Sequence, residues 1–168
     1  MRLRSLDGEQ VDLSIAGYQS PGRRGSGGPG FDWDANWLMI RGDVQLADGR
    51  SWHFEEPCLQ TSEARALEDW MRGVLAGSVM PSTFDVQIPN KQLLSFTEPN
   101  LALSLASRDS ERAQLRFHFS LEALPPWQRG LSGEFAPFAF FVLLDITPEG
   151  LSSAVADWAR DVGQFPPR

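Results

Sequence analysis

The stretch Leu-Arg-Phe-His-Phe-Ser-Leu-Glu, residues 115–122, alternates apolar and polar side chains at every position. Strict alternation is typical of a β-strand that buries one face. We therefore predict a strand here. Its polar face, made of Arg116, His118, Ser120 and Glu122, is expected to meet water or a partner. As the clearest amphipathic strand in the chain, it favours an antiparallel sheet.

Further strands are predicted on both sides of this one. Asp7-Gly8 and Asp48-Gly49 are hairpin signals, the first joining residues 2–6 to 11–15 and the second joining 38–46 to 52–54. Shorter strands are expected near 83–88, 93–96 and 101–105. A mostly apolar strand over 135–145 is expected to be central and covered on both faces. The total is about eight strands.

Two helices are predicted, near residues 62–76 and 148–162. Thr61 is the expected N-cap of the first and Gly77 its end, whereas Thr147 and Pro148 open the second. Strands and helices do not alternate regularly. We therefore expect an α+β fold, mainly antiparallel, forming a sandwich or a strongly curled sheet with two packed helices. The length suits a single domain over 1–168.

Composition narrows the possible functions. The chain has 168 residues, 42% of them hydrophobic, and a formal net charge of −7. An acidic chain repels nucleic acid and attracts basic proteins. Cys58 is the single cysteine, so no internal disulfide forms, which suits a reducing compartment. Neither a signal peptide nor an apolar membrane-spanning run is seen, so we expect a cytoplasmic protein that does not contact membranes.

The segment Ser-Pro-Gly-Arg-Arg-Gly-Ser-Gly-Gly-Pro-Gly, residues 20–30, is rich in glycine and proline. This composition predicts a mobile surface loop. It lacks the Gly-Lys-Ser/Thr ending of a phosphate-binding loop, and no helix follows it.

One six-residue pattern, Phe-x-Glu-Pro-x-Leu, occurs twice, at residues 54–59 and 96–101. Proline ends strand pairing and holds the preceding glutamate extended, so Glu56 and Glu98 stand at strand edges. Each carboxylate can accept from backbone amides or an arginine, or face a partner. A third acidic segment with paired prolines lies at 121–127. All three are predicted to be structural corners and possible recognition surface.

Catalytic patterns are weak. His53 and His118 lack the ligand spacings of a zinc site. The serines lack the glycine-flanked elbow of hydrolases, and Cys58 is expected to pack rather than react. A small hydrolase or metal-dependent enzyme using Glu56, Glu98 and His118 remains the alternative function. We expect no cofactor and no metal.

The chain resembles the WapI-like immunity protein family of bacterial polymorphic toxin systems. The resemblance lies in Ile15-Ala16-Gly17-Tyr18 with Pro21, Asp34-Ala35-Asn36-Trp37-Leu38, Pro57-Cys58-Leu59 with Thr61 and Glu63, Leu67 and Trp70, Phe96-Thr97-Glu98-Pro99-Asn100-Leu101, Leu121-Glu122 with Pro125-Pro126-Trp127, and Phe165-Pro166 with Arg168. Residues 22–30 resemble an insertion. The resemblance implies a cytoplasmic protein that binds and blocks the C-terminal domain of a cognate toxin, often a nuclease. It carries over no catalytic residue.

We therefore predict a non-enzymatic immunity protein, monomeric or weakly dimeric. A homo-oligomer that pairs its exposed strand face with itself is a further possibility. The predicted partner-binding residues are Asp34, Glu55, Glu56, Glu98, Arg116, His118 and Glu122.

Overall fold

A computed structural model describes residues 1–23, 32–83, 93–130 and 138–168. It contains two helices and eight strands, arranged in two four-stranded antiparallel sheets. Neither sheet closes into a barrel. The predicted α+β fold is thus confirmed. In the described ranges, neither helix is long and apolar enough to cross a membrane.

The first sheet has the order β1-β2-β3-β4 and consists of two hairpins in succession. Its strands are β1 (Arg2–Arg4), β2 (Gln10–Tyr18), β3 (Trp37–Gln45) and β4 (Ser51–Gln60). Both predicted turns are confirmed. Gly8 and Gly49 adopt φ values of 106° and 87°, a region in which a side chain would be strained.

The second sheet has the order β5-β6-β7-β8. Its strands are β5 (Leu94–Ser95), β6 (Leu101–Arg108), β7 (Ala113–Phe119) and β8 (Phe140–Ile146). Residues 115–119 of the alternating stretch lie in β7, which pairs with β6 on one side and β8 on the other, whereas residues 120–122 lie beyond the end of the strand. The predicted strand at 83–88 lies almost entirely outside the described residues, as does most of the loop at 20–30.

The prediction that the apolar strand over 135–145 is central is wrong, because β8 lies at the edge of the second sheet. Its far edge meets the chain that follows β1. The Asp145 amide donates to Ser5 Oγ at 3.0 Å, and its carbonyl accepts from the Leu6 amide at 2.9 Å. These contacts partly cover the edge, which explains why an edge strand can be so apolar.

The helices are α1 (Thr61–Ala76) and α2 (Pro148–Gly163). Thr147 caps α2 as predicted, accepting from the Gly150 amide at 3.1 Å. Thr61 does not cap α1. The N-cap is Gln60, whose amide donates to Glu63 at 2.9 Å, whereas the Thr61 hydroxyl donates to Asn36 at 3.0 Å. The Thr61 side chain, which the local sequence predicts as the cap, thus bonds instead to a residue distant in sequence.

One hydrophobic cluster joins both sheets and both helices. Trp52 and Phe54 of β4 contact Phe119 of β7 edge-to-face, with ring centroids 5.2 and 6.0 Å apart. The Phe54 ring also lies over Gly42 of β3, where a Cβ atom would come within 2.2 Å of it. The core therefore requires glycine at this position.

Candidate partner-binding surface

The two copies of the Phe-x-Glu-Pro-x-Leu pattern meet in the folded protein. Cys58 lies at the fifth position of the first copy and Asn100 at the fifth position of the second. Both are buried, and Asn100 Nδ2 lies 3.6 Å from Cys58 Sγ. The repeated pattern therefore places equivalent residues against each other, although 42 residues of chain separate them.

The third acidic segment joins the same place through its backbone. β7 ends at Phe119, and a short 3₁₀ turn follows over Leu121–Ala123. The Ser120 amide donates to the Asn100 carbonyl at 2.9 Å. The indole of Trp52 in β4 donates to the Ala123 carbonyl at 3.0 Å. The turn is thus attached to the second copy of the repeated pattern and to Trp52, which lies two residues before the first copy.

Three carboxylates lie close enough to this meeting point for their charges to act on the Cys58 thiol. Burial raises the pKa of the Cys58 thiol to about 12. The hydrogen bond from Asn100 opposes that shift, and the negative charges of Glu56, Glu122 and Glu98 add to it. The thiol is therefore protonated and unreactive at neutral pH. We call Glu56, Glu98 and Glu122 the acidic junction.

The carboxylates of the acidic junction form no ion pair with the parts of the chain that the structure describes. Glu98 and Glu122 are exposed and Glu56 is half-buried. Among residues that the structure describes, none of the three carboxylates forms an ion pair. Arg129 lies nearby, but its guanidinium donates to the backbone carbonyls of Leu124, at 2.9 Å, and Glu122. The carboxylates thus stay available to an outside cation.

An unsatisfied acceptor lies within the junction. Asn100 is only 4% exposed, and its Oδ1 finds no hydrogen-bond donor in the described parts of the chain. A buried acceptor without a donor is unfavourable. The junction is therefore rich in acceptors and poor in donors. Yet no group of three or more acidic, histidine or cysteine side chains in the described ranges could hold a metal ion.

Glu55 lies on a different surface from its neighbour Glu56. It belongs to the outer face of the first sheet, together with Arg2, Asp12, Arg41, Asp43 and His53. We call these six residues the paired sheet face. Arg41 contacts Glu55 at 2.7 Å and Arg2 contacts Asp12 at 2.9 Å. The carboxylate of Glu55 raises the pKa of Arg41 through a hydrogen bond and its charge.

The prediction that His118 lies on an exposed strand face is wrong, since the residue is fully buried. Its Nε2 lies 3.0 Å from Ser104 Oγ, and its Nδ1 lies 2.8 Å from the Phe138 carbonyl. Burial lowers its pKa to about 4, against the hydrogen bond to Phe138 and with the help of the Arg116 charge. The ring of Phe141, 5.2 Å away between centroids, covers the expected wet face.

Two other predictions for residues 115–122 also change, in opposite directions. Arg116 is half-buried, donates to the Ser82 carbonyl at 2.9 Å and stacks on Phe141 at 5.8 Å, so burial lowers its pKa. Leu121 was expected on the buried face. It is instead 52% exposed, because the strand has already ended and the residue adopts φ = 52° in the turn.

Asp34 is exposed and lies 3.1 Å from an Arg23 guanidinium nitrogen. It sits in a 3₁₀ turn over Trp33–Asn36, away from the acidic junction in sequence and in its contacts. The turn is capped by Asp32, which accepts from the Ala35 amide. Asn36, fully buried, donates to the carbonyls of Asp32 and Arg168 at 2.7 and 2.9 Å. Sequence analysis missed this tie to the end of the chain.

The structure therefore unites Glu56, Glu98 and Glu122 and separates them from Glu55, Asp34, Arg116 and His118. Analysis of the sequence missed Leu121 as an exposed residue and Asn100 as a centre of the site. A signal for Asn100 was present, because it matches Cys58 in the repeated pattern. For Leu121 there was none, since alternation continued past the end of the strand.

The family described as the immunity protein WapI-like family matches residues 2–166. The chain therefore belongs to the WapI-like immunity protein family, as its resemblance predicted. The family suggests an immunity protein and not an enzyme. No curated protein matches the chain.

Proposed function

We propose that this protein neutralises a cognate toxin by binding the toxin's C-terminal domain through the acidic junction, and that this domain is a nuclease. The observation that carries the proposal is that the contacts Asn100–Cys58 and Ser120–Asn100 bring together the segments that hold Glu56, Glu98 and Glu122, whose carboxylates form no ion pair among the described residues. A surface with unmatched negative charge favours a basic partner.

A nuclease supplies such a partner, because the face that holds nucleic-acid phosphates is basic. Lysine and arginine side chains of that face would bind the carboxylates of the junction and exclude the substrate. Opposite charges also accelerate encounter and disfavour wrong partners. The overall charge of −7 acts in the same direction.

Protection of a cell requires tight binding. A dissociation constant near 1 nM corresponds to about −12 kcal/mol. An interface of standard size buries roughly 800 Å² on each partner. The acidic junction is smaller than that, so it would form the charged part of a wider contact that includes the turn at Leu121–Ala123.

The test uses the C-terminal domain of the toxin encoded beside this gene. Purified toxin domain is mixed with nucleic acid, and this protein is added in rising amounts. The proposal predicts that cleavage stops at an equimolar ratio. Cleavage that continues at a tenfold excess of this protein would contradict the proposal, and a toxin domain without nuclease activity would contradict the assigned class.

The residues are tested by neutralising charge in two places. One variant carries Glu56→Gln, Glu98→Gln and Glu122→Gln. Its control carries Asp69→Asn, Glu111→Gln and Glu149→Gln, three exposed carboxylates outside the junction. Both variants lose the same charge. Only the first should lose inhibition, and equal loss in both would show that net charge acts without a localised site.

We further propose that the protein acts in the cytoplasm as a single-domain monomer. The unmatched carboxylates support this, because two copies would repel each other at the junction. The buried, protonated thiol of Cys58 gives no route to a covalent dimer. Sedimentation velocity at micromolar concentration should show one species near the monomer mass, and a stable dimer would contradict this proposal.

A further inference from the structure

We propose that Leu121 is the apolar anchor of the partner interface, entering a pocket flanked by basic residues on the toxin domain. The inference rests on the proposed function and names a specificity-determining residue for it. Leu121 is 52% exposed and lies directly before Glu122 of the acidic junction. The buried core of a protein interface is apolar and its rim is polar, so an exposed leucine beside carboxylates fits the boundary between the two.

The backbone at Leu121 is held in a conformation that leucine disfavours. Its φ of 52° lies in the left-handed region, where a side chain crowds the following carbonyl. Such strain persists only where the surroundings impose it, and it recurs at binding sites. Glycine or asparagine would relieve this strain, so a leucine here suggests a use for its side chain.

The surroundings impose the conformation through hydrogen bonds to every carbonyl from Ser120 to Leu124. Within the turn, the Ser120 and Leu121 carbonyls accept from the amides of Ala123 and Leu124 at 3.1 and 3.2 Å. Arg129 donates to the carbonyls of Glu122 and Leu124, and Trp52 donates to that of Ala123. A turn held in this way presents Leu121 with little ordering left to occur on binding.

The negative charge of the acidic junction favours a basic protein as the partner that contacts Leu121. The turn is attached to Asn100, whose Oδ1 lacks a donor among the described residues. Glu56, Glu98 and Glu122 add acceptors that are too dispersed for one metal ion in the described ranges. Several lysine or arginine donors around an apolar pocket match this set. A second copy of the chain would bring more carboxylates and is disfavoured.

The test compares Leu121→Ala and Leu121→Gly with Leu6→Ala. Leu6 is 55% exposed and lies in the hairpin between β1 and β2, so it controls for loss of an exposed leucine. Calorimetric titration of the toxin domain should show both Leu121 variants bound at least about tenfold more weakly. The Leu6 variant should bind like the wild type.

The melting temperature distinguishes the role of Leu121 in binding from its effect on the stability of the fold. Glycine relieves the left-handed strain and alanine does not, so Leu121→Gly should melt about 2–4 °C above Leu121→Ala while binding no better. A Leu121→Gly protein that melts below Leu121→Ala would overturn the strained-turn account.

The remaining outcomes distinguish this inference from the proposed function. If Leu121→Ala binds as tightly as the wild type while the junction triple variant does not, the anchor is wrong and the proposed function stands. If the wild type does not bind the toxin domain, both are wrong. If the wild type dimerises and Leu121→Ala does not, the occupant is a second copy and the partner assignment is overturned.

Discussion

The paired sheet face and the acidic junction carry similar numbers of carboxylates but arrange them in opposite ways. On the sheet face, Asp12 and Glu55 each lie against an arginine. At the junction, Glu56, Glu98 and Glu122 surround a buried thiol, with no ion pair among the described residues. The two regions therefore differ in local charge pairing rather than in acidity itself.

The energetic reason lies in what each arrangement has left to gain. An exposed ion pair contributes little to folding, and an outside cation gains little by competing for it. Unmatched carboxylates repel each other in the free protein, and a basic partner relieves that repulsion on binding. A binding surface of this kind costs some stability in the unbound state.

Charge reversal gives the largest expected difference between the two regions. Glu98→Lys places a positive charge where the toxin's basic residues should bind, so affinity should fall about a hundredfold, or about 2.7 kcal/mol. Glu55→Lys breaks the pair with Arg41 on the sheet face and should change affinity by no more than about threefold. Calorimetric titration measures both, and equal losses would erase the distinction between the surfaces.

The two histidines sharpen the comparison through pH. His53 is exposed on the paired sheet face, whereas His118 is buried in β7. The pKa of His118 is lowered from 6.5 to about 4, so the unfolded chain takes up the proton first as pH falls. Stability is full above pH 6.5 and is lost towards pH 4. The loss between pH 7 and pH 5 should be about 2 kcal/mol.

Urea unfolding at both pH values measures that loss. The His53→Gln variant keeps His118, so its free energy of unfolding should fall between the two pH values as it does in the wild type. Imidazole titration by NMR checks the assignment directly. An ordinary pKa for His118 would show that its side chain is not buried in solution.

The smallest expected effect is a change in melting temperature whose sign differs between the two regions. Replacing Glu56, Glu98 and Glu122 by glutamine removes like-charge repulsion and should raise the melting temperature by about 1–3 °C. Replacing Asp12 and Glu55 by asparagine and glutamine removes ion pairs and should lower it slightly. Thermal unfolding at low salt measures both, and 1 M salt should shrink both changes. Shifts of the same sign would contradict the comparison.

Much of the fold could be predicted because its signals are local. Alternating side chains placed β2, β3, β4 and β7, and Asp-Gly pairs placed two turns. Predictions failed where distant residues decide the outcome. Thr61 has an N-cap's chemistry but donates to Asn36, and β8 looks central because Ser5 and Leu6 partly cover its edge.

In the candidate site, too, features set by local sequence could be predicted and features set by distant contacts could not. The repeated pattern predicted Glu56 and Glu98 as corner residues, and the third segment predicted Glu122. Their convergence could not be predicted, because it depends on contacts among residues 58, 100 and 120. These contacts join residues up to 42 positions apart, and no local sequence pattern predicts that they meet. Alternation also could not tell that Phe138 and Phe141 would cover His118.

The central claim, that localised unpaired carboxylates recruit a basic toxin domain, is tested most directly by the association rate as a function of salt. The wild type and the Asp69, Glu111 and Glu149 triple variant should associate rapidly at low salt and slow steeply as salt rises. The Glu56, Glu98 and Glu122 triple variant should associate slowly at every salt concentration. If that variant associated as fast as the wild type and with the same salt dependence, the result would contradict the claim.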